Sequence, residues 1–327
     1  MIILGLKGTE VSDSSEIVHT IQDKGIGGVI LFGHNIAKED SRESLRRMCE
    51  KLQSASAEKL FISIDQEGGM VNRLKTKYGF EKSVTAQYLG EINKKDSSRY
   101  YYHRMAEQLK VLGFNVNFAP CVDLNVNPEC PVIGAYGRSY SASARKVNRH
   151  ARICIEEHHQ SGILTSLKHF PGHGSSVADS HLGFTDVTRT WKRKELRPYR
   201  YFIRKSLCDM VMVSHTFNSK LDPAYPATLS RRTIDSLLRK KMGYDGVVIT
   251  DDMNMKAITA NYTFEQAISL TINAGVDMII ISNNINGVNG RTVDYIIDTI
   301  VALVEQGTIP RSRINESYDR IMRLKQN

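Results

Sequence analysis

The feature that most constrains this chain is a repeated local pattern. A short apolar run rich in β-branched residues is followed by a polar loop and then by a segment with helical spacing. The runs lie at 2–5, 28–32, 60–65, 115–119, 163–168, 210–214, 246–250 and 277–281. Each is nearly continuous in apolar character, as strands buried on both faces should be. Helical spacing occupies 14–24, 39–55, 97–112, 142–159, 195–207, 231–241, 264–274 and 293–305, with a closing helix expected near 311–324. Gly25, Gly113, Gly162, Gly243 and Gly275 stand where such helices should stop in a left-handed residue. Eight strand–helix units in 327 residues predict an α/β fold, a single (β/α)8 TIM barrel forming one domain over 1–327. A doubly wound sheet is the alternative, but no Gly-rich phosphate loop follows the first strands.

Composition excludes several classes. With 41% hydrophobic and 24% charged residues, the chain is neither disordered, collagenous nor a coiled coil. Its longest apolar runs, such as 278–281, fall far short of the roughly 20 residues of a membrane span. The net charge is +9, from 44 Lys and Arg against 35 Asp and Glu. These bases are dispersed, with no aromatic-interleaved tract, so neither a nucleic-acid nor a membrane partner is expected. Five cysteines, odd in number and without a CxxC pair, argue against a disulfide framework or a zinc knuckle. The first seven residues lack a basic n-region and a long apolar h-region, so a cytoplasmic location is expected.

In a barrel, chemistry sits in the loops at the C-terminal ends of the strands. Here those loops carry charge: Asp65-Gln-Glu-Gly-Gly69, Asn117 to Asp123, Lys168 to Gly174, Ser214-His-Thr216 and Thr250-Asp-Asp252. The densest segment is KHFPGHGSSVADSH (168–181), with three of the ten histidines in one stretch. Pro171 and Gly172 turn the chain out of the strand into a loop over the barrel mouth. In a turn, Asp179 can accept the ring proton of His181 two residues on, which fixes the tautomer and raises the basicity of the other nitrogen. The pair is a candidate general acid/base.

Asp251 and Asp252 are adjacent carboxylates at a buried strand end, costly unless paired or working. Successive strand residues face opposite ways, so Asp251 is the candidate nucleophile and Asp252 a hydrogen-bonding residue. Capping of the following helix by both is the plainer reading. Asp65 can bridge vicinal hydroxyls, and the Gly68–Gly69 pair allows a tight turn that folds Arg73 back toward the pocket. Arg138, Lys168 and His169 supply further donors.

Together, IDQEGGMVNR (64–73), FNVNFAPCVDLNVNP (114–128), GRSY (137–140), the 168–181 block and VITDDMNM (248–255) resemble glycoside hydrolase family 3. The likeness is to its single-domain bacterial β-N-acetylglucosaminidases of peptidoglycan recycling. It implies a retaining exo-hydrolase acting on terminal β-linked N-acetylglucosamine of a glycan or muropeptide, without metal or organic cofactor. Carried over by motif, the nucleophile falls on Asp251, the acid/base on His181 and its support on Asp179. Sugar-binding roles fall on Asp65, Arg73, Arg138, Lys168 and His169. The chain departs from the family pattern in a longer Ile133-to-Arg138 segment and in Met70, where Arg is common.

Three alternatives stand beside this reading. A metal-dependent hydrolase could use His169, His173, His181, His215 and Asp251 as ligands, although the first strand lacks an HxH pair. A phosphorylase fits a neutral His acid/base, which does not repel phosphate. A sugar-binding protein without turnover is the third.

Overall fold

The computed structural model describes residues 1–283 and 291–326. Among the described residues ten strands occur in chain order: β1 (Ile2–Gly5), β2 (Gly28–Leu31), β3 (Phe61–Ile64), β4 (Val116–Asn117), β5 (Leu164–Phe170), β6 (Thr185–Asp186), β7 (Met210–Val213), β8 (Thr216–Phe217), β9 (Val247–Thr250) and β10 (Ile279–Ile281). Eight of them form a parallel sheet in the order β10-β1-β2-β3-β4-β5-β7-β9. A parallel bridge between Ile249 and Met278 joins the two ends, so the sheet closes on itself. The expected (β/α)8 barrel is therefore the fold.

Two apolar layers hold it. Ile3, Ile30, Phe61, Val116, Met212, Ile249 and Ile280 fill the barrel interior. Their sequence neighbours, among them Leu4, Val29, Ile62, Val211 and Val248, point outward against the helices. Residues one apart on a strand face opposite ways, so near-continuous apolar runs serve both layers at once.

Several elements differ from expectation. β5 continues past Lys168 to Phe170, and its pairing with β7 shifts register between Leu167 and Phe170. Such an irregularity re-aims side chains next to a site. The helix expected over 195–207 is a 3-10 turn, Arg193–Leu196, followed by a shorter α-helix, Arg197–Arg204. The segment expected as an α-helix at 231–241 is π-helical over Arg232–Lys241. A helix at Ala86–Ile92, capped by the Thr85 hydroxyl, was not legible from periodicity. The small parallel pair β6–β8 ties down the far end of the 171–184 loop.

Candidate active site

A cavity of about 530 Å³ opens at the C-terminal end of the barrel. Asp65, Arg73, Arg138, Lys168, His169, Asp179, His181 and Asp251 all line it, so one hollow gathers every residue given a catalytic or sugar-binding role from the sequence. A larger hollow of about 800 Å³ lies elsewhere, with Arg239, Arg313 and Arg320 among its walls. All three of those guanidinium groups bind the buried Asp277, which marks that hollow as a structural staple.

The floor of the site is an ion-pair network. Lys168 projects from β5, and its Nζ lies 2.6 Å from Asp65 Oδ1 and 2.6 Å from Glu67 Oε1. Arg138 donates to both oxygens of Glu67, from Nε at 2.9 Å and Nη2 at 2.7 Å. Its Nη1 donates to the Val132 carbonyl at 2.9 Å. Burial alone would lower the Lys168 ammonium, but Asp65 and Glu67 outweigh it and hold the pKa above its ordinary value. Burial would likewise raise Glu67, and Arg138 and Lys168 hold it well below the usual carboxylate range.

The residues around the network have their own supports. His169 Nδ1–H donates to Asp123 Oδ2 at 2.7 Å, so its Nε2 can accept from Arg138 Nη2 at 3.0 Å. Asp123 also accepts the backbone N–H groups of His169 and His173, fixing the root of the loop that follows. Gln66 Oε1 accepts from the backbone of Arg73 and Leu74. That bond holds the strand-end turn in place, and Arg73 Nη2 comes 3.5 Å from Asp65. Gly68 and Gly69 both have positive φ, and a Cβ on them would collide with Val84 and Thr85. Only glycine allows a turn this tight there.

On the opposite wall, Asp251 follows β9. Burial would raise its pKa, but the imidazoles of His215, His169 and His181 outweigh it and keep the carboxylate ionised. Asp252 is committed to Ser282 and to the Asn254 backbone N–H. Both carboxylates line the cavity, but they are divided: Asp251 stands ionised, while Asp252 is spent on bracing the next loop. Asp179 Oδ1 lies 2.7 Å from His181 Nδ1, and the His181 side chain is 59% exposed.

The metal-ligand set considered above is not brought together. His215 bonds the Asp252 carbonyl and Thr228, while His173 bonds Ser180. Among the described residues one trio of potential ligand atoms does gather, on Cys121, Asp123 and His169. Its members are already hydrogen-bonded to one another.

Residues 3–324 match the model of the glycosyl hydrolase family 3 N terminal domain. The chain belongs to glycosyl hydrolase family 3. It is 32% identical to "Beta-hexosaminidase A" of Pseudoalteromonas piscicida, over 95% of this chain and 55% of that protein. It is 31% identical to "Beta-hexosaminidase" of Idiomarina loihiensis, over 86% of this chain and 84% of that one. Among solved structures, a family 3 β-N-acetylglucosaminidase from Paenibacillus sp. str. FPU-7 superposes with a TM-score of 0.88 at 35% identity. The superposition covers 99% of this chain and 60% of that one. The chain thus spans little more than half of two of these relatives.

In this family 3 site, Arg138 reaches the cavity despite the longer segment before it. Three participants were not singled out from the sequence: Glu67, Asp123 and Gln66. Glu67 and Asp123 were visible as carboxylates in strand-end segments, which is the signal that could have found them. Among the described residues no helix is long and apolar enough to cross a membrane.

Proposed function

We propose that this protein is a retaining exo-β-N-acetylglucosaminidase that releases terminal non-reducing β-linked N-acetylglucosamine. Asp251 attacks the anomeric carbon while protonated His181, oriented by Asp179, gives its proton to the leaving oxygen. The C–O bond to the aglycone breaks and a glycosyl ester forms on Asp251. His181, now neutral, takes a proton from water, and the resulting attack releases the sugar and frees the carboxylate. Asp65, Arg73, Arg138, Lys168 and His169 hold the pyranose in position for both steps.

The observation that carries this reading is the ionised Asp251 sharing one cavity with the Asp179–His181 pair and the charged floor. Support for the sugar comes from the relatives' names, which specify hexosaminidases and a β-N-acetylglucosaminidase. We further propose that residues 1–327 act as one catalytic domain on peptidoglycan-derived muropeptides or related oligosaccharides in the cytoplasm. Five free cysteines fit a reducing compartment.

The test uses p-nitrophenyl N-acetyl-β-glucosaminide with wild type, Asp251→Ala and His181→Ala, with and without phosphate. Hydrolysis by wild type, lost in Asp251→Ala and indifferent to phosphate, is the expected result. No release by wild type, or release only with phosphate, overturns the reading.

A further inference from the structure

Glu67 is buried at the cavity floor and makes no contact suited to bond breaking. Its two oxygens are occupied by Arg138 and Lys168. Donor arithmetic shows what that occupation leaves. A guanidinium has five N–H donors. Arg138 uses four of them, two on Glu67, one on the Val132 carbonyl and one on His169. An ammonium has three donors; Lys168 donates one to Asp65 and stands in an ion pair 2.6 Å from Glu67. One donor remains on Arg138 and at least one on Lys168, and both residues line the cavity.

We propose that Glu67 is a positioning residue: its carboxylate clamps Arg138 and Lys168 so that each directs its remaining donor capacity to the hydroxyls of the bound sugar. The proposal rests on the reading of this cavity as the sugar site. Glu67 also makes two neighbouring buried cations compatible. Lys168 faces Asp65, Glu67 and Arg138, with Arg73 beyond Asp65 and His169 beyond Arg138. Across the cavity stand Asp179, Asp251, Asp252 and His181. Without Glu67, Lys168 keeps only Asp65 as a direct counter-charge, and Asp65 is shared with Arg73. Desolvation and Arg138 then favour the neutral amine. The double-glycine turn is what swings Glu67 inward: its backbone N–H bonds the Val71 carbonyl at 2.9 Å, closing the loop over Gly68 and Gly69.

The experiment measures calorimetric binding of an N-acetylglucosamine-derived lactone oxime from pH 6 to pH 9, with melting temperatures recorded in parallel. Binding to this neutral probe does not require proton donation by His181. Glu67→Gln is expected to bind about tenfold or more weakly at pH 6, the scale of a lost charged hydrogen bond. The deficit should widen by roughly another tenfold toward pH 9 as Lys168 loses its proton. Glu67→Asp keeps the charge but shortens the reach, so it should weaken binding by a similar factor at every pH. A Glu67→Gln variant within twofold of wild type, or with the same deficit at pH 6 and pH 9, overturns the proposal. Should Glu67→Gln fail to fold, Glu67→Asp decides, and affinity within twofold of wild type is the overturning result. Failure of wild type to bind the probe, with no aryl glycoside turnover, instead defeats the reading of the cavity as the sugar site.

Discussion

The Asp179 carboxylate binds His181 twice through one oxygen: Oδ1 lies 2.7 Å from the ring Nδ1 and accepts the backbone N–H at 2.8 Å. The turn therefore holds backbone and imidazole together. With Nδ1–H donating to Asp179, Nε2 is the nitrogen free to exchange a proton. His181→Ala is expected to lower kcat by about 10²- to 10⁴-fold, the usual range for general acid–base catalysis. Asp179→Asn, which unsettles the tautomer, should fall between that variant and wild type. Aryl glycosides with poorer leaving groups should widen both losses, and equal losses across a leaving-group series would remove His181 as the acid.

Arg138 binds Glu67 through two parallel N–H bonds, which a lysine cannot reproduce. Arg138→Lys keeps the charge, yet kcat/KM for the aryl glycoside should fall at least about tenfold, the equivalent of one charged hydrogen bond at roughly 1.5–3 kcal/mol. A change under twofold would show that the bidentate contact does not matter for binding.

Glu195 packs directly beneath the turn at Gly172, where a Cβ would meet its side chain. Burial pushes its carboxyl up to about 7. Its Oε1 accepts the Lys192 backbone N–H at 2.9 Å, while Oε2 has no hydrogen-bond partner. A folded-state pKa raised above the unfolded value makes the native state prefer the protonated acid. The favourable contribution is complete below about pH 4.5 and is lost as pH rises toward about 7, a swing of at most about 3 kcal/mol. Glu195→Gln mimics the protonated form, so its melting temperature should exceed that of wild type at pH 8 and approach it at pH 5. A difference independent of pH would contradict this.

Asp277 is fully buried and holds Arg239, Arg313 and Arg320 while accepting the Val248 backbone N–H at 2.9 Å. Asp277→Ala leaves buried Arg239 without a carboxylate partner and reduces Arg313 and Arg320 to the exposed Glu316 and Asp245, and it should cost about 3–5 kcal/mol in denaturant unfolding. Because none of these residues lines the active cavity, kcat per folded molecule should stay near that of wild type.

How much of this was legible in the sequence varies with range. Asp251, and the Asp179–His181 pair, were readable because each signal is local: a carboxylate just past an apolar strand, or two residues in one turn. Asp123 and Glu67 stood in view within strand-end segments, yet nothing nearby in the chain said which groups they would meet. Likewise, β5 reads as ending at Lys168, because apolar pattern alone does not register a shift in pairing against β7.

The sequence by itself determined eight strand–helix units built on a buried parallel sheet, because runs of apolar, β-branched residues have no stable alternative to burial between helices, and the missing Gly-rich phosphate loops favoured closure into a barrel over a doubly wound sheet. It also determined which loops carry charge. Only the tertiary structure decided which charges would pair. Glu67 meets Arg138 across 71 residues and Asp65 meets Lys168 across 103. Those partners become neighbours only when parallel strands close the barrel and direct their C-terminal ends into one mouth. Local periodicity encodes which face a side chain takes, whereas an ion pair depends on register and closure, and these are properties of the whole sheet.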